Sequence, residues 1–93
     1  MDLFEPNPIK AKRNLAKHGI AFEEAQTVFL DVLSVSGHDP DHSYDEERRI
    51  IFGRSSLGNP LVVSFAERSG RIRIISARKM IKREIRFYED DQI

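Results

Sequence analysis

The spacing of apolar residues changes period along the chain, and each change marks an element. In Arg71–Tyr88, RIRIISARKMIKREIRFY, the first half alternates. Ile72 and Ile74 leave one face of a strand, and Arg71 and Arg73 leave the other. The second half spaces Ile81, Ile85 and Tyr88 at i, i+4 and i+7, with Met80 and Phe87 beside them, which predicts a helix lying on a core. Ser76 stands where that helix could be capped.

Upstream, Leu3–Glu5 reads as a short strand. Asn7 followed by Pro8 opens a helix to about Lys17, with Ala11, Leu15 and His18 on one face and Gly19 as its left-handed stop. A second helix is predicted over Ile20–Leu30 through Phe22, Ala25 and Phe29. Glu23 and Glu24 suit its first turn, and Ala21 at the cap position has no capping oxygen. Val32–Ser36, Arg48–Phe52 and Leu61–Ala66 read as strands, with Gly53 ending the second. His38–Glu47 is a polar loop and Ser55–Pro60 a turn. Ser69-Gly70 predicts a tight hairpin joining Leu61–Ala66 to the strand beginning at Arg71. The expected architecture is α+β: an antiparallel sheet of three to five strands, two N-terminal helices and a C-terminal helix, the helices on one face.

At 93 residues the chain is expected to be one domain, 1–93, hiding roughly 60–65% of its unfolded surface. It has no cysteine, which excludes disulfides and thiolate sites. No apolar run approaches ~18 residues and Met1–Lys10 has no signal pattern, so the expectation is a cytoplasmic protein with no membrane association. Net charge is zero, but residues 1–47 hold four Lys/Arg against ten Asp/Glu, and residues 48–93 hold eleven against five. The basic half suits a polyanion such as RNA or an acidic protein.

Within that half, Arg54, Arg68, Arg71, Arg73 and Arg78 form a candidate phosphate cradle, since a guanidinium offers a fixed fork of donors. Pairing with Glu46, Glu47 or Glu67 is the alternative use of these side chains. His18, at a helix end, is a candidate proton donor or phosphate contact, or a side chain that only bonds the last carbonyls. Glu47 is a candidate general base, or an ordinary surface partner of Arg48. His38, Asp39, Asp41 and His42 are metal ligands by type, but Pro40 interrupts them and no period aligns them, so no metal site is assigned. The chain has no Gly-rich phosphate loop, nucleophile elbow or zinc spacing.

A family resemblance rests on Lys10-Ala11, Asn14-Leu15, Lys17-His18-Gly19, Phe22-Glu23-Glu24-Ala25, Phe29, Asp39-Pro40, His42-Ser43, Glu47-Arg48, Gly53-Arg54-Ser55, Leu61-Val62-Val63, Glu67-Arg68, the Arg71–Arg78 block RIRIISAR, Glu84 and Tyr88. Together these resemble the BrnT toxins of type II toxin–antitoxin systems. Pro6-Asn7 stands where that family usually has Trp-Asp, and Ala21 where Ser is common.

The resemblance implies a RelE-like ribonuclease that blocks translation and is silenced by a cognate BrnA-like antitoxin. Operator DNA would be reached only through the antitoxin, and no metal or cofactor is expected. For such an enzyme the residues suggest His18, Arg73, Arg78 and Glu47 as catalytic, and Lys17, Arg54, Arg68, Arg71 and Tyr88 as RNA-binding. The reaction would be attack of a ribose 2′-OH on the adjacent phosphate. Two other readings fit the same basic half: a non-catalytic module binding nucleic acid or an acidic protein, and an inactive toxin kept as a co-repressor.

Overall fold

Helix α1 spans Pro8–His18. Asn7 Oδ1 accepts the Lys10 N–H at 3.3 Å, Pro8 takes the first turn, and Gly19 closes the helix at φ 72°. The computed structural model describes residues 3–39 and 48–90. Helix α2 is shorter than the pattern predicts, Phe22–Thr27, because Ala21 offers no side-chain cap and the chain then tightens into a 3-10 turn, Val28–Leu30. Asp31 ends that turn. Its Oδ1 accepts the Leu33 N–H at 2.9 Å, which folds Val32 and Leu33 into a local turn and delays β1 to Val35–His38.

Strands β2 (Arg48–Arg54), β3 (Pro60–Arg68) and β4 (Arg71–Lys79) complete an antiparallel sheet in the order β1-β2-β3-β4. Gly53 does not end β2. It lies within it, opposite Leu61, where a Cβ would stand 2.9 Å from Val28 Cγ1. The Ser69-Gly70 hairpin is present, with φ of 53° and 77° and Arg68 opposite Arg71.

β4 contains the irregularity that decides the sheet's chemistry. Phe65 pairs with Ile74 while Ser64 pairs with Ser76, so Ile75 is an extra residue in β4. One inserted residue reverses which face every later side chain meets. Ile72 and Ile74 join the core under α1 and α2, and beyond the bulge Ala77 takes their place there. Arg71 and Arg73 leave by the other face, and beyond the bulge Ser76, Arg78 and Met80 follow them. β4 therefore runs on through Ser76, and helix α3 begins only at Lys82, ending at Asp90. The N-terminal turn of α3 is served by Glu84, whose Oε1 accepts the Ile81 N–H at 2.9 Å, half of a capping box, and not by Ser76.

Two cores result. Ile20, Phe22, Ala25 and Val28 pack against Ile51, Leu61, Val63, Phe65, Ile72, Ile74 and Ala77 on one face. On the other, Tyr88 and Ile85 of α3 pack with Ile50, Phe52, Val62 and Met80. The helices thus cover both faces and not one, because the bulge turns Met80 outward and α3 follows it down onto that side.

The free edge of β4 is covered in two ways. Phe4 bridges Ile72 in parallel, with Ile72 N–H donating to Leu3 O and Glu5 N–H to Ile72 O, both at 2.8 Å. Farther along, the buried Asn14 amide accepts from Ala77 N–H and donates to Ala77 O, both at 2.9 Å, and also donates to Ile20 O. Among the described residues no helix is long and apolar enough to cross a membrane.

Candidate active site

Antiparallel partners stand side by side, so the face carrying α3 can be followed in rows from the hairpin. Arg68 and Arg71 form the first; Arg48, Ala66 and Arg73 the second; Ile50, Ser64 and Ser76 the third; Phe52, Val62 and Arg78 the fourth. α3 covers the apolar far end. Beside it a cavity of about 250 Å³ opens, lined by Asp39, Arg48, Ile50, Val62, Ser64, Ile75, Ser76 and Arg78. Its floor is strand, which holds side chains more rigidly than a loop would.

Arg78 is held firmly. Its Nη1 and Nη2 donate to the two Glu84 oxygens at 2.8 Å each, and Nη1 also meets Lys79 O at 3.2 Å. The Glu84 carboxylate raises the Arg78 pKa further against the effect of burial. In return the guanidinium, helped by the Ile81 N–H, keeps Glu84 below the ordinary carboxylate range although burial opposes this. The fork is thereby oriented, with the rest of its five donors not engaged by Glu84 or Lys79. Asp39 follows β1, is 6% exposed, and donates its N–H to Arg48 O at 3.0 Å.

The remaining predicted residues are distributed differently from a single cradle. Arg54 lies at the opposite end of β2, past α3, with Nη2 3.8 Å from Glu89 and Nη1 donating to Gly58 O. Arg68 lies 3.8 Å from Glu5, and Arg71 donates to Phe4 O at 2.9 Å, so both sit at the hairpin end. Arg73 and Arg78 do share a face, through the bulge. Lys17 and His18 line a separate cleft along α1, which touches the first cavity only through Ile75 and Ser76. His18 is thus not brought beside Arg78. Tyr88 is 4% exposed and part of the second core, with its hydroxyl donating to Asp31, so its ring packs in the protein and has no open face for a base. Glu47, Asp41 and His42 lie outside the described residues.

Arg48 and Asp39 line the cavity although the sequence offers the first only as a surface partner of Glu47 and the second only as a metal ligand by type. Arg48 is in the alternation Arg48-Ile50-Phe52 on the outward face, but Ile51 between them makes Ile50–Phe52 read as a continuous apolar run. Asp39 carries no such signal, because only the β1–β2 pairing brings it to the cavity.

A family model described as "Ribonuclease toxin, BrnT, of type II toxin-antitoxin system" matches residues 7–84. Among curated protein sequences none matches the chain. Among solved structures, the crystal structure of the Brucella abortus ribonuclease toxin BrnT is similar in fold, with a TM-score of 0.60 at 19% identity over 82% of this chain and 92% of that one. Since the family match extends from the cap of α1 through every strand to Glu84, the chain belongs to the BrnT family of ribonuclease toxins of type II toxin–antitoxin systems.

Proposed function

We propose that the protein is a metal-independent endoribonuclease of RelE-like type that inhibits translation from the cytoplasm, with its active site in the cavity between the Arg48–Arg73 row and α3. A type II system implies an antitoxin partner. That this is a BrnA-like protein, which also carries the complex to operator DNA, belongs to the proposal. The observation that carries it is the Ile75 bulge: it turns Arg78 onto the face of Arg48 and Arg73, and Arg48 and Arg78 line a cavity large enough for a phosphodiester.

In the reaction, the ribose 2′ oxygen attacks the adjacent phosphorus and the P–O5′ bond breaks. The 2′-OH proton passes to a base and the leaving 5′ oxygen takes one from an acid, giving a 2′,3′-cyclic phosphate and a 5′-OH. Guanidiniums aimed at the phosphorane answer the charge that develops there. Arg48, Arg73 and Arg78 take this role. Asp39 is assigned the base, as the carboxylate in the lining, with Glu47 the second carboxylate to test. His18 is assigned the acid, reaching over the Ile75–Ser76 rim when RNA is bound. Lys17 and, at the hairpin, Arg68 and Arg71 serve backbone phosphates.

The test is incubation of the purified protein with RNA and with DNA of the same sequence in EDTA. RNA cut to cyclic-phosphate ends, intact DNA, and inert but folded Arg48→Ala and Arg78→Ala proteins are the expected outcome. RNA bound but never cut would overturn the catalytic reading in favour of a binding module or co-repressor.

A further inference from the structure

The second cleft has chemistry of its own. It measures about 270 Å³ and is lined by Lys10, Arg13, Lys17 and His18 of α1 and by Ile75 and Ser76 of β4. Four cationic or proton-carrying side chains at i, i+3, i+7 and i+8 share one helix face, as the helical period requires.

What distinguishes them is their lack of internal partners. Arg54, Arg68 and Arg78 each stand within 4 Å of a carboxylate. Among the described residues, Lys10, Arg13 and Lys17 form no ion pair and their side chains make no hydrogen bond. In a half of the chain with a net negative charge, three cations gathered without a carboxylate form a local field that attracts anions. Asn14, between them, is turned inward onto Ala77, so the acid-free face is exposed while the helix stays anchored.

The cleft also adjoins the cavity. Ile75, the bulged residue, and Ser76 line both, so the wall between them is these two residues of strand. A polyanion whose reacting phosphate lies among Arg48, Arg73 and Arg78 has this as an adjoining surface free of acidic side chains.

Resting on the ribonuclease reading of the cavity, we propose that the α1 cleft is a second subsite that holds the phosphates of the RNA strand flanking the cleaved bond. The strand crosses the edge of β4 at Ile75–Ser76 and continues along Lys10 and Arg13. Substrate length, not base identity, is what this cleft reads, because lysine and arginine contacts to phosphate carry no sequence information.

The test uses non-cleavable 2′-O-methyl RNA of two lengths, 4 and 16 nucleotides, and the Lys10→Ala/Arg13→Ala protein, with circular dichroism to check its fold. Two lost phosphate contacts on a single strand lower the slope of log affinity against log salt by about 1.4, or roughly 20-fold in affinity at 0.1 M salt. That loss is expected for the 16-mer and should be much smaller for the 4-mer. An unaltered slope, or equal weakening of both lengths, overturns the subsite. Cleavage of ordinary RNA by the wild-type protein is scored separately, so an inert wild type would remove the ribonuclease reading without altering the length comparison.

Discussion

The Tyr88 hydroxyl donates to Asp31 Oδ2 at 2.7 Å, joining α3 to the end of the 3-10 turn across 57 positions of sequence. The same oxygen accepts the Arg54 N–H at 2.8 Å, so one carboxylate ties together α3, β2 and the entry to β1. Burial pushes the Tyr88 pKa up to about 12, and the bond to Asp31 acts in the same direction. Asp31 is opposed by burial but falls below the ordinary range through its bonds from Arg54, Tyr88 and Leu33.

The signs follow. A group whose pKa is raised by folding stabilises fully below its unfolded value and loses that contribution as pH rises through the folded one. Stability should therefore fall between about pH 10 and pH 12 through Tyr88. For Asp31, lowered by folding, the contribution is present above the unfolded pKa and lost as pH falls through the folded one. Tyr88→Phe should cost about 1–2 kcal/mol at neutral pH and flatten the alkaline limb in denaturant titrations.

Gly53→Ala should destabilise by about 1–3 kcal/mol, since the new methyl meets Val28 Cγ1 at 2.9 Å and Asp31 Oδ2 at 3.1 Å. A thermal scan reads this as a drop of roughly 4–20 °C. An unaltered midpoint would mean that the 3-10 turn yields freely.

Arg78→Lys should be nearly as inactive in RNA cleavage as Arg78→Ala. An ammonium cannot reproduce the two 2.8 Å bonds to Glu84 that orient the fork. Wild-type rates in the lysine variant would show that charge alone suffices.

If Asp39 and His18 are base and acid, removing either should slow RNA cleavage without weakening RNA binding to the same extent. Asp39→Asn and His18→Ala should each lose about 10²–10⁴ in cleavage rate while staying folded by circular dichroism. An unaltered cleavage rate in Asp39→Asn would move the base role to Glu47.

Much of this framework was legible in the sequence because it rests on local chemistry. Asn7-Pro8 and Gly19 bound α1, Ser69-Gly70 turns the hairpin, and the Arg71–Ile74 alternation sorts β4's first half. What was not legible depends on contacts between residues far apart in the chain. The Ile75 bulge leaves no mark in composition, since Ile74-Ile75-Ser76 reads equally well as strand running into helix. Everything beyond it, including the face of Arg78, the start of α3 and the side on which α3 packs, depends on that single residue. Asp39 and Arg48 reach the cavity only through long-range pairing, which no local period records. Glu24 was legible as a first-turn acid, yet its carboxylate accepts from Ser55 and Asn59 and organises the β2–β3 turn.

The Asn14 side chain has one more effect. By supplying both the acceptor and the donor that Ala77 would otherwise seek from another strand, it seals that stretch of the sheet's border against growth. No second strand can zip on along Ala77, which leaves β1 as the sheet's other border among the described residues.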